Sequence, residues 1–179
     1  MIMMKQGLRL STFCLSIFAS VAMAHEPPIV VDSKDQKIVD IYAVDEKGIN
    51  QKLGTVRIVV IKYGLLFEPN LKGLVPGEHG FHIHQLPNCM PADNQAAGAA
   101  GTHYDPANTG FHGGPYGEGH LGDLPTLHVD LDGSAKSPVL APRLHTLQEM
   151  TGRSVMIHVG GDNYGNDAGG ARLACGVIK

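Results

Sequence analysis

Residues 78–123 constrain this chain more than any other stretch. They open Glu-His-Gly-Phe-His-Ile-His and close Gly-His-Leu-Gly-Asp-Leu-Pro, and they hold His79, His82, His84, His103, His112 and His120, six of the ten histidines in the 179 residues. His82 and His84 stand two apart in an apolar, β-prone run, and residues i and i+2 of a strand share a face. Their imidazoles therefore point the same way, as two ligands of one metal must. His103, His112 and His120 recur every eight or nine residues, with Asp123 three further on. What separates them is mostly Gly, Pro, Asn and Thr, so residues 85–123 read as one loop. A structureless loop beyond about 12–15 residues is uncommon inside a compact domain unless it is functional or disordered, and bound metal can order such a loop. Three imidazoles and a carboxylate form a closed tetrahedral zinc set. The His82/His84 pair needs further ligands from elsewhere and suits copper as well as zinc.

Several further motifs share the chain with this run. They are Gly-Thr-His-Tyr-Asp-Pro at 101–106, His-Gly-Gly-Pro at 112–115, Met-Ile-His-Val at 156–159 and Gly-Gly-Ala-Arg-Leu-Ala-Cys-Gly-Val-Ile at 169–178. Together with Phe-His-Ile-His at 81–84 and Gly-His-Leu-Gly-Asp-Leu-Pro at 119–125, and in this order, they resemble the copper/zinc superoxide dismutases. The resemblance covers nearly everything from about residue 38 to 179. The Gly-Asp-Asn-Tyr segment and the chain's ending are similar to the bacterial, exported branch.

The resemblance implies copper held by His82, His84, His103 and His158, and zinc held by His103, His112, His120 and Asp123. Seven residues satisfy two four-coordinate ions only if one is shared, and the family shares His103. It implies Asp162 as the carboxylate that orients a copper histidine and a zinc histidine, and Arg172 as the cation that attracts superoxide beside the copper. The implied reaction converts superoxide to dioxygen and hydrogen peroxide, with His103 and Arg172 taking part. His79, on the opposite strand face from His82, is expected to be structural, and His128 and His145 ordinary. A non-enzymatic copper/zinc-binding protein of the same fold is the competing class. Such relatives lose zinc ligands or the arginine, and this chain keeps both.

The N-terminal segment reads as an export signal. Lys5 and Arg9 precede a mostly apolar run from 10 to 22, too short to span a bilayer, and Ala22-Met-Ala24 is an Ala-x-Ala cleavage site. Cleavage after Ala24 would release a periplasmic protein with no membrane anchor, beginning at His25. The expected organisation is a signal peptide at 1–24, a flexible tail at 25–37 and a dismutase-like domain at 38–179. Removing Lys5 and Arg9, with no acid in the segment, takes the formal charge from −3 to −5. An acidic domain is not a nucleic-acid binder. Cleavage also removes Cys14, leaving Cys89 and Cys175, and an even pair in an exported chain reads as one disulfide. Family members include monomers and dimers, so a homodimer is a possible partner state.

The rest of the chain is strand-like. Residues 38–45 and 55–63 alternate or run β-branched; 64–69, rich in Leu and Phe, continues as a further strand, and 78–85, 126–131, 153–159 and 171–178 also read as strands. Gly48 falls in a connection, 144–150 suits a helical turn, and the glycine-rich stretch 160–170 forms a second functional loop. Short strands with Gly-rich connections argue an all-β, closed or double-sheet antiparallel architecture, in agreement with the eight-stranded Greek-key barrel that the resemblance implies. There is no Lys or Arg from 85 to 135 or from 160 to 170. Steering of an anion is therefore expected to be weak, with Arg172 its main source and Lys136, Arg143 and Arg153 as possible contributors.

Overall fold

The computed structural model describes residues 35–165 and 168–179. The export signal and most of the tail lie outside the described residues. Of the three long strands, the first two are rich in β-branched residues and the third in Leu and Phe. They are β1 (Gln36–Asp45), β2 (Gly48–Ile61) and β3 (Gly64–Leu71), followed by the short β4 (Gly77–His79) and β5 (Phe81–His84). After the metal loop come β6 (Leu127–Val129), β7 (Val139–Ala141), a single helical turn α1 (Leu147–Met150), β8 (Arg153–His158) and β9 (Arg172–Ile178). Seven strands form an antiparallel sheet in the order β5-β8-β9-β1-β2-β3-β7, and β4 pairs with β6 in a ribbon. The sheet curls so that residues 122–124 bond to the free edge of β5, while Ala135 pairs with Leu71 of β3. That closes the barrel.

Three local features depart from expectation. Gly48 is the first residue of β2, not part of a connection, because Glu46 and Lys47 alone make the turn, with Asp45 opposite Gly48. The Asp45 carboxylate caps that turn by accepting from the N–H groups of Lys47 and Gly48. β3 runs past Pro69, which pairs with Val56, to Leu71. Val139–Ala141 adds a strand beside Leu65–Phe67. The expected helical turn at 144–150 is real, and a Thr146/Glu149 capping box starts it.

One face of the sheet fills the interior. Ile41, Ile58, Leu65, Phe67, Phe81, Ile83 and Leu127 are fully buried in one cluster, and Phe67 meets Phe81 edge-on at 5.8 Å between ring centroids. A smaller cluster of Val44, Ala97, Ala100 and Met156 surrounds the Cys89–Cys175 disulfide. The core positions the site directly. Phe81 and Ile83 point into the large cluster, so by the period-two rule His82 and His84 point away from it.

Candidate metal centre

All four residues of β5 are buried, and both edges of the strand are engaged. β8 pairs along one edge, with Phe81 opposite Ile157, and the His158 N–H donates to Gly80 O at 2.9 Å. On the other edge, two parts of the metal loop add backbone bridges, His84 to His103 and His82 to Asp123. Ile83 N–H donates to Gly122 O and Tyr104 N–H donates to Ile83 O, both at 2.8 Å. Residues far apart in sequence are thus fixed beside the ligand strand by ordinary backbone bonds.

Two four-residue groups result, His82/His84/His103/His158 and His103/His112/His120/Asp123, each with its ligand atoms within 4.8 Å of one another. His103 belongs to both. Its ring stacks on His82 at 4.1 Å between centroids and meets His120 edge-on at 5.1 Å. Asp123 Oδ1 lies 2.8 Å from His103 Nδ1, 2.9 Å from His112 Nδ1 and 3.4 Å from His120 Nδ1. The contacts to His112 and His120 are not hydrogen bonds, so both nitrogens are left without a partner.

The decisive feature is which nitrogens lack partners. His82 Nδ1, His84 Nε2, His112 Nδ1, His120 Nδ1 and His158 Nε2 are buried with no hydrogen-bond partner. A buried polar atom in that state is costly, yet here they converge. On four of these rings the other nitrogen is held. His84 Nδ1 donates to Gly101 O at 2.9 Å and His158 Nδ1 to Gly170 O at 2.8 Å. His82 Nε2 and His112 Nε2 each donate, at 2.7 Å, to the two oxygens of Asp162. Each such bond fixes the tautomer, leaving a lone pair on the converging nitrogen. The donor chemistry fits a copper-type imidazole set beside a zinc-type histidine/carboxylate set.

Electrostatics agree. Burial pushes His82 down to about 3 despite Asp162, and His158 down to about 4. Burial, reinforced by the His103 charge, also holds His84 well below its ordinary value. These rings are neutral at neutral pH and ready to donate lone pairs. Burial alone would lower His112, but the Asp123 carboxylate beside its Nδ1 and the hydrogen bond to Asp162 outweigh it and lift the ring to about 9. Asp123 and Asp162 sit well below the usual carboxylate range. Burial opposes this; the bond from His103 and the nearby His112 ring outweigh it at Asp123, and the bonds from His112 and His82 outweigh it at Asp162. The field that would draw a proton to His112 would equally draw a cation.

Arg172 pairs with His158 across β8 and β9. Its Nη1 donates to Ala97 O and its Nη2 to Gly101 O, both at 2.6 Å. Gly101 O therefore holds both Arg172 and His84. Burial lowers the Arg172 pKa, but a guanidinium stays charged regardless. Arg172 also lines a hollow of about 500 Å³, together with Asp45, Glu46, Lys47, Asn94 and Gln95 among others.

These features match known proteins. The copper/zinc superoxide dismutase (SODC) family model matches residues 53–178. Superoxide dismutase [Cu-Zn] 2 of Salmonella typhimurium is 53% identical over 150 residues, spanning 79% of this chain and 87% of that protein. The chain belongs to the copper/zinc superoxide dismutase family. Superoxide dismutase [Cu-Zn] of Escherichia coli K12 is 50% identical over the same shares of both chains. The Cu/Zn superoxide dismutase structure from Brucella abortus superposes with a TM-score of 0.78 at 45% identity, covering 81% of this chain and all of that one. The solution structure of the monomeric copper, zinc superoxide dismutase from Salmonella enterica gives 0.74 at 53% identity, covering 80% of this chain and 99% of that one. This dismutase converts superoxide to dioxygen and hydrogen peroxide, and its cofactors are copper and zinc.

Of the remaining histidines among the described residues, two behave as expected. His79 spans the carbonyls of His158 and Val75, each at 2.7 Å, and braces the barrel. His145 is exposed. His128 does more than expected: its Nδ1 donates to Glu78 at 2.6 Å across the β4–β6 ribbon.

Arg143 is a residue whose role sequence reasoning missed. Its guanidinium donates to Gly119 O at 2.8 Å and to His120 O at 3.1 Å, tying down the loop around a metal-facing histidine. Arg153 donates to Glu149 O and Gln85 O and stacks on Tyr104 at 3.5 Å. Both cations serve the scaffold.

Proposed function

We propose that His82, His84, His103 and His158 hold the copper of this dismutase and His103, His112, His120 and Asp123 its zinc. The unpartnered, convergent nitrogens carry this reading. Copper, when bound, supplies the one-electron couple of the reaction, while zinc has no second oxidation state to offer.

The chain's own residues do the rest. Arg172 keeps its positive charge beside His158 and spends two of its five N–H groups on Ala97 and Gly101, leaving three to meet a small anion. Asp162 fixes the tautomers of His82 and His112 and so aims both rings. Two superoxide anions and two protons give one dioxygen and one hydrogen peroxide. His103 Nε2, on the side of the shared ring away from Asp123, holds one of those protons and passes it to the departing peroxide. Cys89 and Cys175 fasten the loop that carries Ala97 and Gly101.

We further infer export: Ala22-Met-Ala24 marks cleavage, and the mature chain works in the periplasm with superoxide as substrate. Light scattering on the mature protein distinguishes a monomer, the form of the Salmonella enterica dismutase in its solution structure, from a homodimer. The ligand assignment is tested by metal analysis and superoxide turnover on purified protein and on His82→Ala and His112→Ala. His82→Ala should lose copper and turnover, and His112→Ala should lose zinc first. Retention of the expected metal in either variant overturns the assignment.

A further inference from the structure

Tyr164 stands two residues past Asp162 with a φ of 53°. A bulky non-glycine residue enters this left-handed region rarely and at a cost in backbone strain, which persists where surrounding contacts enforce it. Three parts of Tyr164 make those contacts. Its N–H donates to Asp162 Oδ1 at 2.7 Å, the oxygen that also accepts from His112 Nε2. Its hydroxyl accepts from the Thr126 N–H at 3.1 Å, three residues beyond Asp123. Its ring lies against Gly114, two residues past His112, where an added Cβ would stand 2.8 Å from Tyr164 Cβ and Cγ. Residue 114 has φ 71°, so glycine is required there by conformation as well as by space.

Tyr164 therefore grips the metal loop at Gly114 and at Thr126, near His112 and Asp123, and supports the carboxylate that orients His112. We infer that Tyr164 is a positioning residue for the zinc half of the centre: it clasps the second loop across the metal loop and keeps His112 Nδ1 aimed at the ion. This rests on the zinc ligands proposed above.

The strained φ makes the inference separable from simple packing. Asn tolerates left-handed backbone, so Tyr164→Asn relieves strain while removing the ring and the Thr126 contact. In mature, copper- and zinc-loaded protein, Tyr164→Asn should release zinc to a chelator about 10-fold faster, the lower end of the usual 10–100-fold effect of an outer partner. Tyr164→Phe, which keeps the ring, should fall between. Copper release should match wild type, and cobalt placed in the zinc position should show a shifted visible spectrum in Tyr164→Asn. Wild-type zinc release from both variants overturns the inference, as does parallel acceleration of copper and zinc release, which signals general loosening. The ligand reading is checked separately on wild type and His112→Ala: a wild-type protein that takes up neither zinc nor cobalt overturns both.

Discussion

His103 is the residue on which the two halves of the centre meet, and its replacement should behave unlike that of any neighbour. His103→Ala removes a ligand from both groups, so both sites should weaken and activity should fall by more than the roughly 10–100-fold that loss of an outer partner brings. In His112→Ala the four copper-side residues remain, so zinc should leave first while copper stays. Metal content per chain checks this, and equal loss of both metals from His112→Ala contradicts it. Arg172 is tested differently because it holds no metal. Arg172→Glu places a negative charge where, on the proposed function, the substrate anion arrives, and breaks the bonds to Ala97 and Gly101. Turnover should fall at least about 10-fold, the lower bound of what a focused field contributes, with both metals retained. Unchanged turnover in the metallated variant would remove Arg172 from the site.

At the scale of elements, the disulfide and the β4–β6 ribbon each make a measurable claim. Cys89 and Cys175 are 86 residues apart in sequence with Cα atoms 5.7 Å apart. Closing so long a span stabilises by roughly 4.5 kcal/mol in the chain-entropy model. Reduction should lower the melting temperature by about 10 °C or more, at roughly 2–4 °C per kcal/mol for a domain of this size. Turnover should fall as well, since Ala97 and Gly101 sit in the loop that Cys89 anchors. An unchanged melting temperature after verified reduction would refute this. In the ribbon, hydrogen bonds from His128 and then Thr126 hold Glu78 below the ordinary value of 4.5, and the bond to Glu78 holds His128 above 6.5. The Glu78 contribution is present above 4.5 and lost as pH falls through its folded pKa. The His128 contribution is present below 6.5 and lost as pH rises through its folded pKa. The melting-temperature difference between wild type and His128→Gln should therefore be largest between about pH 4.5 and 6.5, and small because the pair is exposed. A difference that grows steadily towards alkaline pH would show that the pair does not work this way.

Over the whole molecule, the formal charge, −3 for the full chain and −5 if cleaved after Ala24 as proposed, opposes long-range attraction of an anion. Arg143 and Arg153 are occupied with loop carbonyls. Lys47 does reach the hollow beside Arg172, which the sequence did not reveal, but Asp45 and Glu46 line the same hollow. The Debye length shrinks from about 30 Å at 0.01 M salt to about 10 Å at 0.1 M. A weakly steered rate should fall only shallowly over that range. Adding a charge with Asn94→Lys or Gln95→Lys, both in that hollow, should raise the low-salt rate severalfold and steepen its salt dependence. Pulse radiolysis across a salt series reads both effects, and a steep decline in the wild type would show that distant basic residues converge on the entrance after all.

The types of the proposed ligands, and much of their grouping, follow from the order of residues along the chain. His82 and His84 share a face because a strand has period two, and Asp123 follows His120 within one loop. The first two long strands were legible because β-branched alternation is a local signal, and the third because it is a short apolar run. Three-residue β7 was not, because so short a run carries no period and its pairing with β3 is a long-range event. Tertiary structure alone decided which distant segments became neighbours: His103 beside His84, Asp123 beside His82, and Asp162 with one oxygen for each ring. It also decided the work of Arg143, Arg153 and Tyr164. Their partners are largely backbone carbonyls and N–H groups, and every residue offers a carbonyl. No residue type announces such a contact, so only the fold can say which of these groups an arginine or a tyrosine will find.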